Sequence, residues 1–183
     1  EKNKMTIINS DYIQSVKDIH KTKTTKQLIK QLITIYNQDT STDEFEALQQ
    51  LLFINEDEYP LKDKHFAQVL DDTLDDSINE LEDYELLTFL ALYPDPRYLI
   101  KIKPEKFTKE FKDFWYQIRK SNYDYMISVL TAMQQRIDLM SRDLKKLEKS
   151  NPEYVRMNLH IKHSKNILKD IRNTFKLLET GEE

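Results

Sequence analysis

The chain contains no cysteine, and its only glycine is Gly181. Without cysteine there are no disulfides and no thiol chemistry, which suits a reducing compartment. The glycine shortage excludes more. Phosphate-cradling loops, dinucleotide turns and nucleophile elbows need a residue that tolerates positive φ or close backbone approach, so most nucleotide-binding enzyme classes fall away. Tight two-residue hairpins also favour Asn-Gly or Gly-X, which argues against an all-β fold. No apolar run reaches the ~18 residues of a membrane span, and the opening EKNKMTIINSDY has no signal-peptide core. A cytoplasmic location with no membrane partner is expected. Alanine (four) and arginine (six) are also scarce beside 22 lysines, 17 isoleucines and 10 asparagines. This bias follows AT-rich codons and points to an AT-rich bacterial or viral genome.

What is present is helical periodicity. SDYIQSVKDIH opens at Ser10, a plausible N-cap, and KQLIKQLITIY places Leu28, Ile29, Leu32, Ile33 and Tyr36 on one face. STDE at Ser41–Glu44 reads as a capping box, followed by the stripe Phe45, Leu48 and Leu52. Leu70, Leu74, Ile78, Leu81 and Tyr84, preceded by Phe66, predict a further helix. LLTFLALY predicts a buried segment that ends at Pro94–Pro96, whereas RYLIKIK fits helix or strand. Pro104 is expected to open a helix with Phe107, Phe111, Phe114, Trp115 and Ile118 inward and Tyr116 outward.

Two heptad seams follow. The first, capped by Ser121, runs Met126, Leu130, Met133, Ile137, Met140, Leu144 and Leu147. The second starts at Asn151-Pro152 and runs Tyr154, Met157, Ile161, Ser164, Leu168, Ile171, Phe175 and Leu178. The expected fold is therefore all-α. A helical body over residues 6–120 would contain an acidic helix at about 66–93, and an antiparallel hairpin with arms of ~40 Å would occupy 121–180.

Charge is unevenly distributed. Residues 1–38 carry +4, residues 39–96 carry −15 and residues 97–183 carry +7. The stretch LDDTLDDSINELEDYELL holds eight carboxylates and no Lys or Arg. On a continuous helix Asp72, Asp76 and Asp83 fall opposite the apolar stripe, with Asp75, Glu80 and Glu82 beside them. Ordinary solvated faces mix charge signs to gain i,i+4 pairs, whereas Asp72 stacks on Asp76 here. A solvated face and a docking face for a basic partner both fit this pattern. A docking face of this kind would steer encounter.

Catalytic and metal chemistry find little support. The acidic stretch lacks the Gly and the ligand spacing of a calcium loop, and no Glu-x-x-His pair exists for a di-iron site. His160 and His163 share a helical face without the further ligands zinc needs, so a solvated polar face is expected there. Composition leaves Ser/His/Asp catalysis open, but nothing among the four scattered histidines points to an activated serine. A non-enzymatic protein with no cofactor is expected. Lys17, Lys21, Lys23 and Lys26, with Lys30, form one basic patch and Lys145, Lys146 and Lys149 another. Such patches can contact phosphates without reading sequence. Tyr116 is a candidate interface anchor.

The stretches NSDYIQSVKDIHKTKTTKQLIKQL and FKDFWYQIRKSNYDYM, within the chain as a whole, resemble bacteriophage early proteins that bind the primary sigma factor of a low-GC Gram-positive host. The resemblance implies an α-helical, non-enzymatic regulator of host transcription that docks on sigma domain 4, the basic helix-turn-helix domain that reads the −35 element. It supplies no catalytic residue. Placing the interface on the acidic segment rests on charge alone. DNA binding or DNA mimicry is the second candidate function, and assembly through the hairpin the third.

Overall fold

In a computed structural model the chain is all-α, and residues 2–38, 43–54 and 66–179 are described. The helices are α1 (Lys2–His20), α2 (Thr25–Asn37), α3 (Asp43–Leu52), α4 (Phe66–Thr73), α5 (Asp83–Leu92), α6 (Lys109–Ser121), α7 (Tyr123–Leu144) and α8 (Pro152–Glu179). Short 3-10 turns at Asp76–Glu80, Pro96–Lys101 and Pro104–Lys106 connect them. Among the described residues there is no strand, and no helix is long and apolar enough to cross a membrane.

Local chemistry explains most boundaries. Thr24 caps α2 in a reciprocal box with Gln27, and Thr108 accepts from the backbone N–H of Phe111 at 3.2 Å to open α6. The α6 helix therefore begins after the Pro104 turn rather than at it. Asn151 accepts from the Glu153 N–H at 2.9 Å, and Pro152 takes the first helical position of α8, as its fixed φ favours. Ser10 lies inside α1 rather than at its start, and Ser121 closes α6 instead of capping α7, which begins at Tyr123. Ser41 lies outside the described residues. RYLIKIK resolves as the Pro96–Lys101 turn, opened by the Asp95 carboxylate.

One apolar core runs from Leu28 of α2 to Leu178 of α8. Both heptad seams enter it: Met126, Met133, Ile137 and Met140 on α7 face Ile161, Ser164, Leu168 and Ile171 on α8. The α8 helix packs on α7 and also on α4 and the Pro96–Lys101 turn, so the hairpin is laid against the body. This double packing buries His160, where a solvated polar face was expected, and leaves His163 half-buried. Tyr98 fills the centre, its ring 5.1 Å from that of Phe89 and its hydroxyl donating to the Leu52 carbonyl at 2.8 Å.

The acidic segment departs most from expectation. It is not one helix over 66–93 but α4, a 3-10 turn and α5, separated by extended residues at Asp75 and Leu81–Glu82. Continuing α4 would stack Asp72 on Asp76 and place further carboxylates toward the negative end of the helix dipole. Breaking it sets Asp75, Glu82, Asp83 and Glu85 at new helix starts, where negative charge is favoured. Asp75 and Ser77 also bond locally, which competes with helical backbone. Leu70, Leu74, Ile78 and Leu81 remain buried, but Tyr84, expected in the same stripe, is 65% exposed.

Candidate functional site

The acidic residues do not form one uniform face. Asp71 and Asp76 lie 2.8 and 3.9 Å from the Lys101 ammonium, Glu80 lies 3.5 Å from Lys26, and the buried Glu85 lies 3.7 Å from Lys30. Two lysines of the supposed nucleic-acid patch, Lys26 and Lys30, thus sit against the acidic segment. The folding of α2 onto the Asp76–Glu80 turn offsets part of the charge that looked uncompensated in sequence. Asp72 is exposed on α4.

Asp75 holds the segment to α2. Its backbone N–H donates to Thr25 Oγ1 at 2.8 Å, the Thr25 N–H donates back to its carboxylate at 3.1 Å, and the Ser77 N–H donates to it at 2.9 Å. The Lys26 N–H donates to Ser77 Oγ at 2.8 Å. Asp75 is a structural clasp and not a free docking charge. Burial raises its pKa, but the hydrogen bonds from Ser77 and Thr25 outweigh burial and hold the carboxyl below the ordinary carboxylate value. A depressed folded pKa contributes stability above the unfolded value, and that stability is lost as pH falls through the folded one. Asp75→Asn keeps one of the two acceptors and is therefore expected to cost at most about 1 kcal/mol at pH 7 after solvent screening. Its gap to wild type should narrow as pH falls below about 4 and close once pH has passed the lowered folded value. Urea midpoints at neutral pH and at about pH 3 check this.

Glu82 accepts at the first turn of α5 in a reciprocal box with Glu85, whose carboxylate accepts from the Glu82 N–H at 3.0 Å. Asp83 is exposed and has no ion-pair partner among the described residues. It lies at the edge of a groove of about 450 Å³ between α5 and α6. Tyr84 and Phe114 are its exposed aromatic lining residues, Leu87, Thr88, Ala91 and Phe111 line it as well, and Asp83 and Glu110 are its only charged lining residues. Phe114, expected in the core with Phe111 and Trp115, is 63% exposed. The Phe111, Trp115 and Ile118 stripe suffices to seat α6, and Phe114 falls on its margin.

Tyr116 points away from this groove and is 56% exposed. It borders a separate cleft with Trp115, Arg119 and Glu179, where the Arg119 guanidinium is 2.7 Å from the Glu179 carboxylate. The remaining basic candidates are dispersed. Lys17 bonds Gln50 at 3.2 Å, Lys21 pairs with Asp18 at 3.7 Å and Lys23 bonds Gln31 at 3.0 Å. Lys145, Lys146 and Lys149 are exposed at the hairpin tip, Lys146 lying 3.7 Å from Asp143. Among the described residues no group of His, Asp or Glu side chains is arranged to hold a metal ion.

Sequence reasoning missed Tyr84, Phe114 and Lys101. Glu82 and Glu85 form a box at the start of α5, but Glu is not a preferred N-cap residue, so no sequence signal turns Tyr84 off the preceding stripe. Lys101 carries no signal either, because its pairing is set by tertiary contact. No family model, curated protein or solved structure matches the chain.

Proposed function

We propose that the protein is a non-enzymatic regulator that works by binding another protein, and that its partner is a basic nucleic-acid-binding domain. The observation that carries this reading is the apolar α5/α6 groove with two exposed aromatics and only acidic charge along its lining. Large aromatics left in water on a rigid pair of helices are characteristic of interface anchors. Asp72, Asp76, Glu80 and Glu82 are exposed elsewhere on the acidic segment, partly offset by Lys26 and Lys101, and add to a negative field that favours encounter with positive surface. The resemblance to phage early proteins makes sigma domain 4 of a bacterial RNA polymerase the partner of choice, with inhibition or redirection of host transcription as the outcome.

The test is calorimetric titration of the protein into isolated sigma domain 4, with a random DNA duplex in parallel, at low and moderate salt. Submicromolar binding to sigma and no heat with DNA is the expected result. In the same assay Asp83→Lys should slow association several-fold, whereas Asp76→Lys should do less because Asp76 already lies near Lys101. A steeply salt-dependent signal with DNA alone would instead favour a DNA-binding role.

A further inference from the structure

We infer that the α5/α6 groove seats a single amphipathic helix of the partner, with its basic residues grouped at the end that meets Asp83 and Glu110. This rests on the protein-binding reading above and specifies the ligand that the site takes.

The shape comes first. Two packed helices present a channel that a third helix can complete, and small lining residues permit close approach. Here the α5 side of the lining includes the small residues Thr88 and Ala91. From Asp83 to Ala91 the channel follows α5 for roughly 12 Å, or about two helical turns. An occupant would therefore present apolar anchors at i, i+4 and i+7, the spacing of one helical face. An extended strand would need an unpaired sheet edge for its backbone, and no strand exists among the described residues.

The charge gives polarity. The Lys106 ammonium, just before α6, donates to the carbonyl of Leu81, just before α5, at 3.2 Å. The two helices therefore start side by side. Asp83 and Glu110, each in a first turn, share that end of the groove, while Gln117 and Ile118 of α6 lie toward the other. Acid at one end and uncharged lining at the other select a helix whose Lys or Arg residues cluster at one end of its apolar stripe.

The probe is a synthetic, fluorescein-labelled 18-residue helical peptide with a leucine stripe and Arg grouped at one end, beside a copy with Glu in place of Arg. Anisotropy with the full chain should show binding of the basic peptide that is about tenfold or more tighter than that of its acidic copy. Phe114→Ser and Tyr84→Ser, both at exposed positions, should each weaken it by about tenfold. Joint Asp83→Lys and Glu110→Lys substitution should reverse the preference between peptides. Equal binding of the two peptides, or binding insensitive to Phe114→Ser, would overturn the inference. So would a concentration-dependent mass in sedimentation that Phe114→Ser abolishes, since a second copy would then cover the groove. Sigma domain 4 separates the two proposals. If sigma binds wild type and Phe114→Ser equally well, the groove fails and the protein-binding function stands. If the basic peptide binds in the groove and sigma does not bind, the groove stands and the sigma assignment fails.

Discussion

Tyr98→Ala is expected to destabilise the protein by about 4 kcal/mol, within the range for deleting a buried aromatic, and so to consume much of a typical folding free energy. Tyr98 is buried where three elements meet. Its ring packs on Phe89 of α5, its backbone belongs to the Pro96–Lys101 turn, and its hydroxyl reaches the last residue of α3. Burial, aided by the nearby Asp95 charge, pushes the phenol pKa well up, so the hydroxyl remains a neutral donor. Tyr98→Phe retains the ring and removes the hydroxyl with its bond to the Leu52 carbonyl and its backbone contact at Ile54, at a cost of about 1–2 kcal/mol. Urea unfolding of both variants separates the terms, provided the denaturant slope is unchanged. Equal losses would mean that the hydrogen bond, and not the ring, holds the centre.

Arg97→Leu is expected to cost about 3 kcal/mol, because it leaves a buried carboxylate without its counter-charge. The Asp95 side chain is buried, and its two oxygens take Arg97 Nε at 2.9 and 3.0 Å and Nη2 at 2.5 Å from the second oxygen. The same carboxylate caps the Pro96–Lys101 turn by accepting the Arg97 N–H at 2.9 Å. Adding Asp95→Asn to Arg97→Leu should recover most of the loss, since asparagine can keep the cap and carries no charge. A double-mutant cycle in chemical denaturation measures the coupling. Coupling near zero would show that solvent already screens the pair.

The elements legible in sequence were those with a sustained apolar period. Leu28, Ile29, Leu32 and Ile33 of α2 and the central seam residues of α7 and α8 are buried as their spacing implies, whereas Tyr36 is 50% exposed and Leu130, Leu144, Leu147, Tyr154, Met157 and Phe175 are only partly buried. The all-α class followed from the same periodicity and from the lack of glycine. The acidic segment was misread because period alone cannot show where a helix breaks. Leu70, Leu74, Ile78 and Leu81 stay buried across the break, so the stripe looks continuous. His160 was misplaced for a related reason: a heptad seam specifies one neighbour, and α8 has two. Of the candidate site, Asp83 was legible from charge, but the groove beside it depends on how α5 and α6 approach each other, which is a property of the folded core. Lys101 reaches Asp71 across thirty positions of chain, a pairing that no local pattern encodes.

The double packing of α8 also bears on when the protein acquires its binding surface. During synthesis α4, the Pro96–Lys101 turn and α7 leave the ribosome before the helix that covers them. Until α8 emerges, Met133, Ile137 and Leu99 lack the apolar layer that buries them in the finished fold. Newly made chains would pass through an interval with exposed core, in which chaperone capture competes with closure. Because α6, one side of the α5/α6 groove, itself packs on α8, that side of the groove would be held in place only after α8 has docked.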